Sequence, residues 1–363
     1  MTHRKLNPEN ERIKYRYLRH LRQATGKSEA TVDAAAEALD RFQDYTGFRP
    51  FKSFHFEQAI GFKAKLATQL GKSGKPLSVA TQHSTLAQLR RFFRWLCEQP
   101  GFRSRMKHSD AAYFHLPDTD VRIATARRER EAPTVEQMLH VISCMPSGDE
   151  IEQRNRALVA FILLTGARVT AAASLRLKHI DLDRGCVHFD AREVKTKNSK
   201  TFTTYFCPVG DEPRRILEDW VRYLRTKPGW TGDAPVFPAT AIRQNGANQF
   251  EVAGLRPEHW ANANPIREIF KRAFERAGLP YAHPHLIRLT LGRLGERLCR
   301  TAEEFKAWSQ NLSHDKVLTT FLSYGEVPLA RQGEILRRFA SPETAEPRET
   351  EAILEDLLRR IRR

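Results

Sequence analysis

The chain has 363 residues, a formal net charge of +17 and 40% hydrophobic residues, including 21 Phe and 5 Trp. This length predicts two domains, and the aromatic content excludes a disordered chain. No apolar run approaches the roughly 18 residues that a membrane span needs, and the first residues contain no signal-peptide core. The five cysteines are scattered and never spaced as CxxC, which argues against a disulfide framework or a cysteine zinc site. We therefore expect a cytoplasmic protein without a membrane partner.

The positive charge is concentrated in the first third of the chain. Residues 1–130 hold 25 Lys and Arg against 13 Asp and Glu, so this segment carries +12 of the total +17. Basic side chains bind polyanions because they release the counterions condensed on phosphates. The charge distribution favours a nucleic-acid partner, although an ordinary solvated surface is the simpler alternative.

The first hundred residues predict four helices, bounded by caps and glycines. They run from Asn7-Pro8 to Gly26, from Ser28 to Gly47, near Glu57–Leu70, and from Ser78 through Leu96. The polar face of the fourth helix and the loop before it supply candidate DNA contacts: Arg90, Arg91, Arg94, Lys72 and Lys75. Residues 100–132 lose the apolar period, and we assign 116–132 to a basic interdomain linker.

Helical periodicity returns after Pro133. An apolar helix from Ala157 to Leu164 is broken by Gly166 and resumes over Val169–Leu177. Residues 187–189 and Thr201–Cys207 predict a β-hairpin, a helix follows Asn264-Pro265, and residues 230–263 read as a long irregular insertion. The pattern predicts a mainly α chain with a small antiparallel β-sheet in its second domain, that is, an α+β fold.

Four short segments carry residues suited to phosphoryl transfer. They are Thr165-Gly166-Ala167-Arg168, the hairpin segment Val194–Lys200 with its three lysines, His285-Leu286-Ile287-Arg288, and Leu312-Ser313-His314 followed ten residues later by Tyr324. Cations can neutralise phosphate oxygens, histidines can carry protons, and a phenol can serve as a nucleophile. Each segment alone is weak evidence, because single surface arginines, lysines and tyrosines are common; the order and spacing of all four are specific.

In that order the sequence resembles the tyrosine recombinases, or phage-type integrases. Their Thr-Gly-x-Arg box looks like the segment of Arg168, their hairpin lysine falls within Lys195–Lys200, and their His-x-x-Arg box matches His285 and Arg288. Their Leu-Gly-His segment, Thr-Thr pair and tyrosine match Leu312-Ser313-His314, Thr319-Thr320 and Tyr324.

The resemblance implies a role for each residue. Tyr324 would attack a DNA phosphodiester and form a 3′-phosphotyrosyl bond, while Arg168 and Arg288 neutralise the non-bridging oxygens. A hairpin lysine would protonate the leaving oxygen, and we favour Lys197, nearest the turn, over Lys195 and Lys200. His285 would assist proton transfer and His314 would hydrogen-bond the phosphate.

The resemblance also implies domains and partners. Residues 1–115 would form a helical, SAM-like core-binding domain, 133–340 the catalytic domain, and 341–363 a C-terminal tail helix. The partner would be double-stranded DNA at a specific site, bound by a homotetramer on two sites that is a monomer or weak oligomer when free, in the bacterial cytoplasm or nucleoid. Neither a metal nor a nucleotide cofactor is implied. The alternatives are a type IB-like topoisomerase, a telomere resolvase, or a catalytically inactive DNA-binding accessory factor.

Two departures from the family pattern stand near the predicted site. Ala171 occupies the position, three residues after Arg168, where the family usually has a carboxylate, and Ser313 replaces the usual glycine. Neither change removes a group that takes part in the chemistry. The loss of an orienting carboxylate near Arg168 is expected to lower the efficiency of the reaction and not to change its type.

Overall fold

The computed structural model of the chain describes residues 6–71, 74–104, 106–126, 131–244, 246 and 248–313. The chain separates into two units, residues 1–128 and 129–363, and each is described by itself. Lys72, His314, Tyr324 and the tail, residues 341–363, lie outside the described residues.

The first unit contains the four helices that the sequence predicts and one more. They are α1 (Pro8–Gln23), α2 (Glu29–Thr46), α3 (Phe56–Thr68), α4 (Val79–Cys97) and α5 (Asp118–Thr125). The Asn7 side chain accepts hydrogen bonds from the first turn of α1 and the Ser78 side chain from that of α4, as expected, whereas the Ser28 side chain makes no capping bond to α2. Gly47, with φ of 64°, ends α2 in the left-handed conformation.

Aromatic side chains dominate the core of the first unit. Phe93 of α4 stacks on Phe54 with ring centroids 3.9 Å apart and meets Phe42 of α2 edge-on at 5.3 Å. Phe114 stacks on the same Phe93 ring, and all four rings are almost completely buried. Burial of several aromatic side chains gives this unit a hydrophobic core of its own.

Part of the segment that the sequence assigned to a linker is helical. Helix α5 lies within residues 116–132, and its Val121 packs against the core of the first unit. The helix has no fully buried residue, which explains why an apolar period could not be recognised there.

The second unit is built around a helix whose C-terminal half is buried on all sides. Helix α7 (Glu150–Thr165) contains eight consecutive residues, 157–164, that are each at most 1% exposed. The other helices among the described residues of this unit are α6 (Val135–Ser143), α8 (Val169–Ala172), α9 (Asp211–Thr226), α10 (Asn264–Arg276), α11 (Ile287–Leu298) and α12 (Ala302–Asn311). Helix α8 is shorter than the predicted Val169–Leu177: it ends at Ala172, and Leu177 begins a separate three-residue 3₁₀ segment, Leu177–His179.

Two antiparallel sheets complete the described part of the second unit. Strands β1 (Ile180–Asp181), β2 (Cys186–Phe189) and β3 (Phe202–Tyr205) form a sheet in that order, with Val187 opposite Thr204. This confirms the predicted hairpin and the mainly α, α+β fold class.

The expectation of an irregular insertion over residues 230–263 is wrong in part. Strands β4 (Ala239–Gln244) and β5 (Phe250–Arg256) pair as a second hairpin. Two residues of α7 hold it: buried Arg154 donates to the Pro238 carbonyl at 2.9 Å, and the Glu150 carboxylate accepts from the backbone N–H of Leu255 at 3.0 Å. The hairpin depends on these distant partners, which a local sequence pattern cannot reveal.

Among the residues that the structure describes, no helix is long and apolar enough to cross a bilayer. None of the five cysteines forms a disulfide bond.

Candidate active site

The first arginine follows a glycine turn between two helices. Gly166 ends α7 with φ of 59°, in the left-handed region that favours glycine. A Cβ at this position would lie 3.1 Å from side-chain atoms of both Leu291 and Leu312. Arg168 then stands at the N-cap of α8, where its carbonyl accepts the backbone N–H of Ala172 at 3.0 Å. The turn therefore places Arg168 between the C-terminal end of α7 and the first turn of α8.

Arg288 connects three segments that are far apart in the sequence. It lies in the first turn of α11 and is only 8% exposed. Its Nη1 donates to the Gly166 carbonyl at 2.7 Å, and its Nη2 donates to the Leu312 carbonyl. Two bonds to carbonyls from different segments fix the plane of the guanidinium, which is the group that recognises phosphate in a forked geometry.

The hairpin loop brings one lysine to the arginines. Arg168, Lys197 and Arg288 line the same cavity, as do Ala171 and Thr204. Lys195 and Lys200 are not among its lining residues, so Lys197 is the hairpin lysine that shares the cavity with the two arginines. Within the described part of the chain, no carboxylate lines this cavity, and the arrangement therefore concentrates positive charge where a phosphate could bind.

Two contacts from outside the loop hold its first residues. The backbone N–H of Lys195 donates to Ser174 Oγ, just after α8, at 2.9 Å. Glu193 is 2.9 Å from Nε2 of buried His179 and also pairs with Lys178. Burial lowers the pKa of His179, although the Glu193 carboxylate opposes that shift. Sequence reasoning missed these residues, because no local pattern links Ser174 or His179 to the loop.

His285 lies in the turn that leads into the helix of Arg288. It belongs to a 3₁₀ turn, Pro284–Leu286, that precedes α11, whereas Arg288 lies inside the helix. Its side chain is exposed and is not among the residues that line the cavity. The turn runs directly into α11 at Ile287, so His285 and Arg288 remain three residues apart in one helical segment, with His285 exposed and Arg288 buried.

The backbone conformation of Ser313 explains why the family usually has glycine at this position. Its φ is 54°, in the left-handed region, and it is buried to 6% exposure. A glycine adopts this conformation without steric cost, whereas a serine is strained there. His314, the next residue, and Tyr324 lie outside the described residues.

A cysteine near the site is unsuited to nucleophilic chemistry. Cys207 follows β3, and its backbone N–H donates to the Leu164 carbonyl at 2.7 Å. Burial raises the pKa of its thiol to about 12, so the nucleophilic thiolate is negligible at neutral pH.

Three of the candidate DNA contacts in the first unit lie on one side of a helix. Arg90, Arg91 and Arg94 span an arc of about 100° on α4, where Arg91 and Arg94 are exposed and Arg90 is half-buried. Arg90 approaches His115 at 3.5 Å, and Arg91 bonds to Gln88 at 3.4 Å. Lys75 is exposed in the loop before α4.

Comparison with known proteins places these features in a family. Residues 131–324, more than half of the chain, match the model of the "Phage integrase family". This range contains Arg168, Lys197, His285, Arg288 and His314, and it ends at Tyr324.

Individual relatives agree with that match. Tyrosine recombinase XerC of Lactobacillus delbrueckii subsp. bulgaricus is 23% identical over 251 residues, 68% of this chain and 72% of the relative. XerC of Roseiflexus sp. is 21% identical over 335 residues, 92% of this chain and 93% of the relative.

Two solved structures share the fold. A lambda integrase dimer bound to a COC′ core site gives a TM-score of 0.60 at 15% identity, over 87% of this chain and 77% of the other. The XerH site-specific recombinase bound to palindromic difH substrate gives 0.59 at 16% identity, over 92% and 85%. This chain therefore belongs to the phage integrase family, the tyrosine recombinases, and is a site-specific DNA recombinase.

Proposed function

We propose that Tyr324 cuts one strand of duplex DNA at a specific site. Its phenolic oxygen attacks the scissile phosphorus and forms a 3′-phosphotyrosyl bond, while the bond from phosphorus to the 5′ oxygen breaks. The observation that supports this proposal is the convergence of Arg168, Lys197 and Arg288 on one cavity. Three cations on one cavity suit a transition state whose charge develops on phosphate oxygens.

The proposed cleavage also needs residues that give and take protons. Lys197, as an ammonium, gives its proton to the departing 5′ oxygen, which leaves as a hydroxyl. The phenolic proton of Tyr324 passes to His285 or to water. His285 is exposed and outside the cavity lining, so in this assignment it acts at the rim, once DNA is bound. His314 would donate a hydrogen bond to a non-bridging oxygen.

The covalent bond makes the reaction reversible. The phosphotyrosyl linkage conserves the phosphodiester, so the 5′ hydroxyl of a partner strand can attack it and release Tyr324. No nucleotide is consumed in either direction. The same two steps on both strands exchange partners, and the family match favours this outcome over a type IB-like topoisomerase, a telomere resolvase or a binding-only factor.

The first unit serves as the DNA clamp in this proposal. Its charge of +12 over residues 1–130 and the basic face of α4 suit contact with phosphates. In the same proposal the core-binding domain spans residues 1–115, the linker 116–132, the catalytic domain 133–340 and the tail helix 341–363. Four copies of the chain on two DNA sites, in the cytoplasm, would complete the recombining complex.

A covalent-trapping experiment tests the proposed function. A footprint on the DNA that flanks the coding sequence would first locate a binding site. A nick beside the scissile phosphate then lets the cleaved fragment diffuse away, so that the covalent adduct accumulates. We expect the wild-type chain and a Tyr281→Phe control to form the adduct and Tyr324→Phe to form none while still binding DNA. An adduct in Tyr324→Phe that disappears in Tyr281→Phe would assign the nucleophile to Tyr281 instead.

A further inference from the structure

The side chain of Asn311 pairs with a β-strand. Asn311 is the last residue of α12, and its Oδ1 accepts the backbone N–H of Tyr205 at 2.7 Å. Its Nδ2 donates to the carbonyl of the same Tyr205 at 3.0 Å. Neighbouring antiparallel strands exchange the same two bonds. Since Tyr205 ends β3, an outer strand of the sheet, the amide of Asn311 occupies the place of an additional strand.

The main chain at Asn311 is held from two sides. Thr204 donates its hydroxyl hydrogen to the Asn311 carbonyl at 2.9 Å. The next carbonyl, that of Leu312, accepts from Nη2 of Arg288. Two successive carbonyls are therefore bonded to β3 and to the guanidinium, and the three bonds of Asn311 to β3 determine where the Leu312 carbonyl lies.

Among the described residues, this carbonyl is one anchor for the Arg288 guanidinium. The Gly166 carbonyl, 2.7 Å from Nη1, is another. Leu312, Thr204 and Arg288 all line the cavity that also holds Arg168 and Lys197. A shift of the α12 end would move the Leu312 carbonyl and tilt the guanidinium relative to a phosphate in this cavity.

We propose that Asn311 is a positioning residue for the reaction, which acts by fixing the Leu312 carbonyl and through it the guanidinium of Arg288. The proposal rests on the proposed function, because it takes Arg288 to act on the transferring phosphate. Asn311 also sets the point from which the chain leads to His314 and Tyr324.

The test uses the full chain and compares two scissile groups. Asn311→Leu removes both amide bonds without adding charge, and Gln310→Ala changes the exposed neighbour as a matched control. The covalent adduct is timed on a nicked duplex with an ordinary phosphate, and on the same duplex with a methylphosphonate. There, a methyl group replaces one non-bridging oxygen and removes the negative charge that a guanidinium neutralises.

We expect Asn311→Leu to slow adduct formation on the phosphate by on the order of 10- to 100-fold, the usual effect of a misplaced group. On the methylphosphonate the loss should be less than about 3-fold relative to wild type, because charge neutralisation is no longer required. Arg288→Ala should show the same dependence on the scissile group, and Gln310→Ala should match wild type on both duplexes. Thr204→Val removes one bond to Asn311 with little change in shape. It should show the same dependence on the scissile group, with a smaller loss of rate on the phosphate.

An equal loss on both duplexes would indicate general damage to the fold and overturn the proposal. If Asn311→Leu does not fold, Thr204→Val carries the same comparison, and equal loss there is equally decisive. If the adduct still requires Tyr324 but forms at the wild-type rate in both Asn311→Leu and Thr204→Val, this proposal alone is overturned. An adduct that persists in Tyr324→Phe overturns the proposed function and this proposal with it.

Discussion

The guanidinium of Arg288 donates a hydrogen bond of 2.7 Å to the carbonyl of Gly166, across 122 residues of chain. Gly166 ends the buried helix α7 and precedes Arg168 by two residues, so this bond links the positions of the two arginines. A second bond, from Arg288 to the Leu312 carbonyl, adds the segment that leads to His314. Backbone carbonyls from two distant segments therefore hold the guanidinium of Arg288 in place.

Replacing either Arg168 or Arg288 by Lys should lower the cleavage rate far more than DNA affinity. Lysine keeps the charge but lacks the planar fork, and at Arg288 it cannot bond the Gly166 and Leu312 carbonyls in the same way. Loss of such a donor costs about 10²–10³ in rate. Adduct formation on the nicked duplex measures the rate, and equilibrium titration measures affinity. Parallel losses in both would identify the two arginines as ordinary DNA contacts.

Lys197→Ala should slow cleavage by about 10²–10⁴-fold, the usual contribution of a general acid. Lys195→Ala and Lys200→Ala serve as controls, because only Lys197 of the three lines the cavity. A duplex with sulfur in place of the bridging 5′ oxygen tests the role directly, since a thiolate leaves without a proton. The Lys197→Ala defect should largely vanish on it. If Lys195→Ala or Lys200→Ala is rescued instead, the acid is that other lysine.

Ser313→Gly should stabilise the second unit by about 0.5–1 kcal/mol. Relief of the left-handed strain is worth roughly 1–2 kcal/mol, and the greater freedom of glycine in the unfolded chain offsets part of it. Gly166→Ala provides the opposite control, because it adds a Cβ at φ of 59° and 3.1 Å from two leucine side chains. Thermal unfolding of both variants measures the effect. A lower Tm for Ser313→Gly would contradict the assigned strain.

Residues 1–130 alone should bind duplex DNA, and the affinity should fall steeply with salt. Each neutralised phosphate contributes a slope of about −0.9 in log K against log salt. The piece from Pro133 onward should bind much more weakly. Combined replacement of Arg90, Arg91 and Arg94 by Ala should reduce the slope by up to about 3 if all three contact phosphates. An affinity independent of salt, or full binding by the second piece, would count against the clamp.

Deletion of residues 348–363 should leave binding to a single site intact and abolish recombination of two sites. Ile353, Leu354, Leu357, Leu358 and Ile361 recur at the spacing of one helical stripe. A stripe that docks on the next copy would build a closed ring of four, whereas one that folds back onto its own unit would not. Gel-shift cooperativity and a two-site recombination assay separate these cases. Recombination at the full rate by the truncated chain would rule out a role in assembly.

The local sequence predicts most of the described helices and the candidate site residues. Caps and glycines marked α1 to α4, because each of these signals acts within one turn of backbone. The apolar run 157–164 marked α7, since a helix buried on all sides has no polar face. The motifs around Arg168, Arg288, His314 and Tyr324 were recognisable for a similar reason: each is a short segment whose residue types alone suggest its chemistry.

Tertiary structure decided the features that depend on distant partners. The β4–β5 hairpin is held by Arg154 and Glu150, more than 80 residues away, so its own sequence looked irregular. The sequence favours Lys197 among three lysines by its place in the turn, and only the folded loop brings it to the cavity that Arg168 and Arg288 line. The bonds of Asn311 to Tyr205 join residues 106 positions apart, and hydrogen bonds of this kind leave no periodic trace in a sequence because only the folded backbone brings their donors and acceptors together.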